Sequence, residues 1–180
     1  QLNEYVDNKI DFSQFKIRSR QSTKYRDIFK DITILYDKID ERILKNLMMD
    51  GRLSARQLAL KLGMSTVTIL TRIKKMEKEK IIRGYTALID HEKIGYSLTA
   101  IIEIIAKNDK IVSIEDEIAK FENVCGVYDI TGSTDTIVIA KFKERNELST
   151  FVKNLACISN VENTITHVVL NTTKEDFRLA

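Results

Sequence analysis

Residues 62–84 read LGMSTVTILTRIKKMEKEKIIRG and combine an early glycine with one long helical pattern. Apolar side chains recur at Ile69, Ile73 and Met76, which is the spacing of one buried helix face. The opposite face begins with small side chains, among them Ser65 as a candidate N-cap, and ends with lysines. A solvated helix face usually mixes positive and negative charges along its length. This pattern predicts a helix whose small N-terminal surface enters a groove while its lysines meet an anionic partner.

Two shorter helical patterns precede this helix. The first begins at Asp37, a plausible N-cap, and ends at Gly51. The second opens with a capping box formed by Ser54 and Gln57, and it ends at Gly63, where a helix terminus favours a left-handed residue. A helix, a tight turn containing glycine and a further helix make a helix-turn-helix. The sequence therefore predicts that motif, with the long helix as its recognition helix.

Residues 81–90, IIRGYTALID, are rich in β-formers around Gly84 and predict a short wing and a strand that leaves the domain. Residues 36–90 thus form a predicted winged helix-turn-helix domain. They carry 12 Lys and Arg against 7 Asp and Glu, whereas residues 91–180 carry 10 against 14. The basic domain is expected to hold any polyanionic partner.

Beyond Gly95 the pattern changes to strands that alternate with helices. The predicted elements are strand 97–106, a helix from Ser113, strands 124–131 and 136–142, a helix around 148–155 and strand 161–170. The order β-α-β-β-α-β predicts a ferredoxin-like α+β sandwich within residues 91–180. Its first strand, SLTAIIEIIA, is apolar on both faces. Helices cover one face, and we expect a second copy of the sheet to cover the other.

The first 35 residues form an N-terminal extension with two open interpretations. Apolar side chains at helical spacing overlap a basic run in this segment. The extension is either a helix that docks on the winged domain or the dimer partner, or a basic arm that reaches DNA.

The composition of the 180 residues, 43% hydrophobic and 31% charged, is typical of a globular protein. No run approaches the ~20 apolar residues of a membrane span, and the N-terminal residues show no signal-peptide pattern. Cys125 and Cys157 have no second pair that would complete a zinc site. We therefore expect a cytoplasmic protein with two buried, reduced thiols and no membrane partner.

From Tyr36 onward the chain resembles the Lrp/AsnC family of feast/famine transcriptional regulators. The matching motifs, in order, are IDERIL at 39–44, DGR at 50–52, LA at 58–59, GMS at 63–65, RIKKME at 72–77, IRGY at 82–85 and GSTD at 132–135. The resemblance implies a bacterial or archaeal DNA-binding regulator with a C-terminal ligand-sensing sandwich. It also implies dimers that often assemble into tetramers or octamers, and for many members an amino acid held between sensing domains.

The recognition-helix surface accordingly predicts contacts with double-stranded DNA. Small hydroxyl side chains let the backbone approach phosphates and base edges, and threonine and valine methyls can touch thymine methyls. Basic side chains further along supply phosphate contacts, which position the protein. The predicted DNA-contacting residues are Ser54, Arg56, Ser65, Thr66, Val67, Thr68, Thr71, Arg72, Lys74, Lys75 and Arg83. The simpler alternative is a solvated amphipathic helix.

A second predicted site lies at the turn Gly132-Ser133-Thr134-Asp135. Open backbone N–H groups there would bind a carboxylate, and Asp135 would meet an ammonium, so the turn matches both ends of an α-amino acid. Thr164 and Thr166, on one face of the last strand, would complete the pocket. The alternative is an ordinary hairpin connection, for which glycine and aspartate are sufficient.

Enzyme chemistry has little support in the sequence. His91 and His167 are isolated, so we expect no catalytic residue, no metal site and no required cofactor. Related two-domain decarboxylases bind a tetrapyrrole through His and Arg, whereas the predicted sensing half has only Arg145 and Arg178. A tetrapyrrole-binding relative is the enzyme alternative. A sensing or assembly protein without DNA binding is another.

Overall fold

The computed structural model describes residues 36–107 and 111–179. These residues form two compact units: one contains residues 36–89 together with 172–179, and the other contains residues 90–107 and 111–171. The predicted domains, residues 36–90 and 91–180, stay a prediction. The predictions for residues 1–35 lie outside the described residues. Among the described residues, no helix combines the length and apolar character that crossing a membrane requires.

The first unit contains three helices, α1 (Lys38–Met49), α2 (Ala55–Leu62) and α3 (Thr66–Lys78). Each begins at a side chain that accepts hydrogen bonds from the free backbone N–H groups of its first turn. The caps are Asp37, Ser54 and Ser65, as the sequence predicted. Gly63 ends α2 with φ 67° and ψ 38°, in the left-handed region. These local features produce the helix-turn-helix.

The core of this unit is small and apolar. Ile43 from α1, Leu58 and Ala59 from α2, and Ile69 and Met76 from α3 are all buried. α3 contributes Ile69 and Met76 to this core, and both lie on one face of the helix. Packing therefore fixes α3 along that face only. The other face of α3 is left to the solvent, as its spacing predicted.

The predicted wing strand is absent from the single chain. Residues 83–90 form neither helix nor strand, and all of them are exposed. A strand needs a neighbouring strand to satisfy its backbone groups, and no described segment pairs with this one. One side chain holds it near α3, because the Tyr85 hydroxyl donates to Glu77 Oε1 over 3.0 Å. Partial desolvation of the Tyr85 hydroxyl and then its bond with Glu77 raise the pKa of this phenol, although the residue as a whole is exposed.

We predict that Gly63→Ala lowers the free energy of unfolding of the helix-turn-helix by about 1–2 kcal/mol, because a Cβ disfavours the left-handed conformation. No atom lies within 4 Å of a Cβ built at Gly63, so the backbone conformation alone causes the loss. Urea denaturation of the full chain measures it. Gly84→Ala is the matched control, since Gly84 has the same open space and lies outside the left-handed region. An equal loss in both variants would contradict this account of the turn.

The second unit contains β1 (Leu98–Ala106), α4 (Ile111–Ile118), β2 (Val124–Asp129), β3 (Thr136–Phe142), α5 (Arg145–Cys157) and β4 (Val161–Val168). The four strands form one antiparallel sheet in the order β2-β3-β1-β4. This order and the β-α-β-β-α-β sequence confirm the predicted ferredoxin-like sandwich. β2 and β4 each end two residues earlier than the sequence suggested, at Asp129 and Val168.

One face of the sheet forms the core of this unit. Ala100, Ile102 and Ile104 of β1 are buried against apolar side chains of α4 and α5. The alternate residues of β1 point to the opposite face, where Ile101 lies opposite Ile139 of β3. No described helix packs on that second face.

The second face mixes apolar and polar side chains. Ile165 of β4 and Tyr128 of β2 are exposed there. His167 Nε2 lies 3.0 Å from Glu103 Oε1, so the two polar side chains contact each other across neighbouring strands. An apolar surface with internally paired polar groups is suited to covering by another protein surface.

Candidate functional site

The exposed face of α3 carries the residues that the sequence predicted for DNA contact. Thr66, Val67, Thr71, Lys74 and Lys75 are exposed. Val67 is 73% exposed, which is a high value for a valine inside a helix. A shallow concavity of about 440 Å³ lies on this side of the unit. It is lined by Asp37, Val67, Thr68, Thr71, Arg72 and Lys75.

The hydroxyl groups on this face have distinct hydrogen-bonding states. Ser65 Oγ accepts the Thr68 N–H over 3.1 Å and lies 2.8 Å from Thr68 Oγ1, so it serves the helix terminus. Thr71 Oγ1 donates to the carbonyl of Val67 over 2.9 Å. The Thr71 hydroxyl has then used its donor and keeps acceptor capacity. It is suited to accept a hydrogen bond from an amino group of adenine or cytosine.

Lys74 and Lys75 supply the positive charge of this face. Within the part of the chain that the structure describes, no carboxylate forms an ion pair with either ammonium. Their charge is therefore available to phosphates. Lys75 also lines the concavity, which places it beside Thr71 rather than on a remote part of the surface.

Arg72 has protein partners that the sequence did not predict. Its Nη1 donates to Asp40 Oδ1 over 2.7 Å and to Asp37 Oδ2 over 2.8 Å. Asp40 is buried, and these bonds, first to Asp40 and then to Asp37, raise the pKa of the guanidinium. The Asp40 backbone N–H and then Arg72 lower the pKa of Asp37. Arg72 is therefore engaged within the protein, while the predicted phosphate contact for it stays a prediction.

The residues outside α3 that were predicted to contact DNA are exposed, but they differ in their hydrogen bonds within the protein. Ser54 Oγ accepts the Gln57 N–H and donates to Gln57 Oε1, so this hydroxyl is part of the capping box. Arg56, one residue into α2, and Arg83, in the irregular segment after α3, have exposed side chains. Both lie in the same unit as the recognition helix.

The predicted ligand turn in the second unit is more closed than the sequence suggested. Asp135 is 4% exposed, and its Oδ2 accepts the Ala106 N–H over 2.9 Å. Its own N–H donates to the carbonyl of Ile104 over 3.0 Å. The ladder between β1 and β4 is irregular between Ile105 and Ala106, and the carboxylate binds the backbone there. Asp135 thus has a structural contact where we had expected an open partner for an ammonium.

The other predicted ligand residues occupy different environments. Gly132 has φ 131°, Ser133 is exposed and Thr134 is buried. Thr164 and Thr166 lie opposite Ile104 and Ile102, so they belong to the helix-covered face of the sheet. Thr164 of β4 and Thr136 of β3 both pair with Ile104 of β1, which lies between them. Thr136 directly follows the turn, so Thr164 lies at the same end of the sheet as the turn. Thr166 lies further from that end.

The sequence pattern does not reveal the part that two acidic residues play here. It identifies Asp37 only as an N-cap and assigns no role to Asp40. Their link to α3 spans 35 and 32 residues of sequence, so no local pattern could reveal it. Within residues 36–107 and 111–179, no three His, Cys, Asp or Glu side chains cluster in a way that could hold a metal. Cys125 and Cys157 are exposed, so the expectation that both thiols are buried was wrong.

A helix-turn-helix with an exposed basic recognition helix, joined to a ferredoxin-like sandwich, defines a two-domain DNA-binding regulator. Family comparisons agree with this class. Residues 37–77 match the AsnC-type helix-turn-helix domain, and residues 99–179 match the Lrp/AsnC ligand binding domain. The chain belongs to the Lrp/AsnC family of transcriptional regulators, as the resemblance indicated.

Similar proteins occur in the archaeal genus Pyrococcus. An uncharacterised HTH-type transcriptional regulator of Pyrococcus abyssi is 49% identical over 145 residues, which are 81% of this chain and 99% of the relative. The HTH-type transcriptional regulator FL11 of the same organism is 37% identical over 143 residues, 79% of this chain and 95% of the relative. These matches favour a transcriptional regulator over the tetrapyrrole-binding alternative.

Solved structures of similar proteins have the same fold. A transcriptional regulator of Neisseria meningitidis in complex with L-Met has 29% sequence identity and a TM-score of 0.73, covering 81% of this chain and 96% of that one. AsnC of E. coli has 26% sequence identity and a TM-score of 0.72, and the match covers 79% of this chain and 97% of AsnC.

Proposed function

We propose that this regulator binds a two-fold symmetric operator as a homodimer or higher oligomer, with α3 of each copy in a major groove. The observation that carries the proposal is the exposed face of α3, where small side chains precede two exposed lysines. A face of small side chains permits close approach to base edges, and the lysines neutralise phosphates. Residues 36–90 would form the DNA-binding domain. As a DNA-binding regulator it would act in the cytoplasm.

The sandwich within residues 91–180 would hold the copies together through the sheet face that no described helix covers. In a two-fold symmetric dimer, this face of one subunit would pack against the same face of the other. Tetramers or octamers are compatible with this arrangement. The two faces of the sheet would then have separate roles, one in folding the subunit and one in assembly.

The same domain would sense an amino acid. The likeness to a regulator in complex with L-Met supports this class of effector. Backbone groups of residues 132–134 would bind the carboxylate of the amino acid, and Thr164 lies at the same end of the sheet. An effector changes the output only if it binds one assembly state better than another. No cofactor and no catalytic step are needed for this activity.

The roles of Lys75 and Thr71 provide the test of operator binding. A duplex selected by the parent protein from a random pool is compared with a random duplex of equal length, by fluorescence anisotropy over a range of salt concentrations. Lys75→Ala is expected to weaken binding to both the selected and the random duplex. It should also reduce the magnitude of the slope of log K against log[salt] by about 0.9 per subunit bound. Thr71→Ala is expected to weaken the selected duplex about fivefold while leaving the random duplex nearly unchanged.

The two variants serve as controls for each other. They lie in one helix and both remove exposed atoms, so a general loss of folded protein would affect both duplexes equally in either variant. If both variants kept the specificity ratio of the parent, the assigned roles would be wrong. If the parent itself selected no sequence, operator recognition would be rejected.

A further inference from the structure

We infer that Asp37, Asp40 and Arg72 form a positioning cluster that fixes the recognition helix for sequence-specific binding, and that Arg72 is not a phosphate contact. The inference rests on the proposed operator recognition. It assigns a role to Asp37, which lines the concavity at the DNA-reading surface, and to Asp40, which is buried. Negative charge at that surface would otherwise oppose binding.

The contacts of the cluster connect the start of α1 to the middle of α3. One nitrogen of Arg72, Nη1, donates to a carboxylate oxygen of each acid. The acids are also fixed to each other's backbone: Asp37 Oδ1 accepts the Asp40 N–H over 3.0 Å, and Asp40 Oδ2 accepts the Asp37 N–H over 3.2 Å. Every carboxylate oxygen of the pair therefore has a partner.

The charges of the cluster explain why Arg72 is a poor phosphate ligand. Two carboxylates surround one guanidinium, so the three side chains together carry a net negative charge. The Asp40 side chain is 3% exposed and that of Arg72 25% exposed. A phosphate that pulled Arg72 away from the acids would leave a buried carboxylate without its cation, which is strongly unfavourable. A phosphate that bound the remaining N–H groups of Arg72 in place would lie close to two carboxylates, whose negative charge repels it.

The position of the cluster connects it with sequence reading. Asp37 and Arg72 line the same concavity as Val67, Thr71 and Lys75. The apolar core fixes the depth of α3 through Ile69 and Met76. Arg72 adds a directional bond on the flank of the helix, which sets the rotation of α3 about its own axis. Rotation determines which side chains face base edges, because successive residues of a helix are about 100° apart.

The decisive variant is Asp37→Asn, because general electrostatics and the inference predict opposite results. Removing a negative charge from a DNA-facing surface would strengthen binding to every duplex alike. The inference predicts instead that affinity for the selected duplex falls about tenfold while affinity for a random duplex does not fall. The asparagine oxygen can still cap α1, so the helix terminus is preserved. Concentrations of active protein come from stoichiometric titration, which removes any effect of partial unfolding.

Arg72→Gln tests the phosphate alternative, and Arg72→Lys retains a cation beside Asp40 if the glutamine variant does not fold. A lost phosphate contact would reduce the salt slope by about 0.9 per subunit, as expected for Lys75→Ala. The inference predicts an unchanged slope for either Arg72 variant, a reduced specificity ratio for glutamine and partial rescue of the ratio by lysine.

Two results would overturn the inference while leaving operator binding established. One is an Asp37→Asn protein that binds the selected duplex as tightly as the parent with the same specificity ratio. The other is a salt slope that falls in the Arg72 variants as it does in Lys75→Ala. A parent protein without sequence preference would instead reject the proposed function, so the two failures are distinguishable.

Discussion

Ile139→Asp is expected to raise the dissociation constant of the dimer at least a thousandfold. Ile139 lies near the middle of β3, directly opposite Ile101 on the sheet face that no described helix covers. In a two-fold interface each copy contributes this residue, so the substitution buries two unpaired carboxylates. An unpaired charge in an apolar interface costs several kcal/mol, and about 4 kcal/mol corresponds to a thousandfold change in affinity. Analytical ultracentrifugation of the full chain measures the effect.

The matched control is Val112→Asp on α4. Val112 is 54% exposed on a helix of the same unit, so the same kind of change there meets solvent. It should leave the dimer intact, while circular dichroism should show that both variants are folded. An Ile139→Asp protein that remained a tight dimer would reject the uncovered sheet face as the interface. Equal dissociation by Val112→Asp would place the interface elsewhere.

The elements that the sequence predicted well are those set by neighbouring residues. As N-caps, Asp37, Ser54 and Ser65 each bond backbone N–H groups within three residues of their own position, so the helix starts follow from local pattern. Gly63 similarly marks the turn because its backbone conformation is local. The order of strand-length and helical segments predicted the ferredoxin-like sandwich, and the structure buries alternate residues of β1 on its helix-covered face.

The features that the sequence did not give depend on residues far apart in the chain. The pairing of Arg72 with two acids arises only when α1 and α3 pack together. The predicted strand after Gly84 failed for a related reason, because strand propensity forms a strand only where a partner exists. In the second unit, the Ala106 N–H, at an irregular point of the strand ladder, donates to the carboxylate of Asp135. We had expected that carboxylate to be available to a ligand. Polar side chains were thus the hardest to assign, since their partners decide their role.

Asp135 separates a structural role from a ligand role most clearly. Asp135→Ala is expected to lower the free energy of unfolding of the sandwich unit by about 2–3 kcal/mol, because the partly buried Ala106 N–H loses its acceptor, the buried carboxylate of Asp135. Asp135→Asn keeps an oxygen that can accept this hydrogen bond. The asparagine variant is therefore expected to lose less than about 1 kcal/mol of the free energy of unfolding. Thermal and urea denaturation of the full chain measure both values. An alanine variant as stable as the parent would contradict the structural role.

The asparagine variant also decides what the carboxylate does for an amino acid. If Asp135 paired with the ammonium, Asp135→Asn would fold normally and lose stabilisation by amino acids, because the pairing needs the negative charge. We expect the opposite, since Asp135 is buried and one oxygen already binds the backbone. Thermal-shift screening of the twenty amino acids against the parent and the asparagine variant distinguishes these outcomes. Equal shifts would assign Asp135 to the sheet and leave the backbone of residues 132–134 as the carboxylate site. A parent protein that no amino acid stabilises would remove the amino-acid effector from the proposal, whatever the role of Asp135.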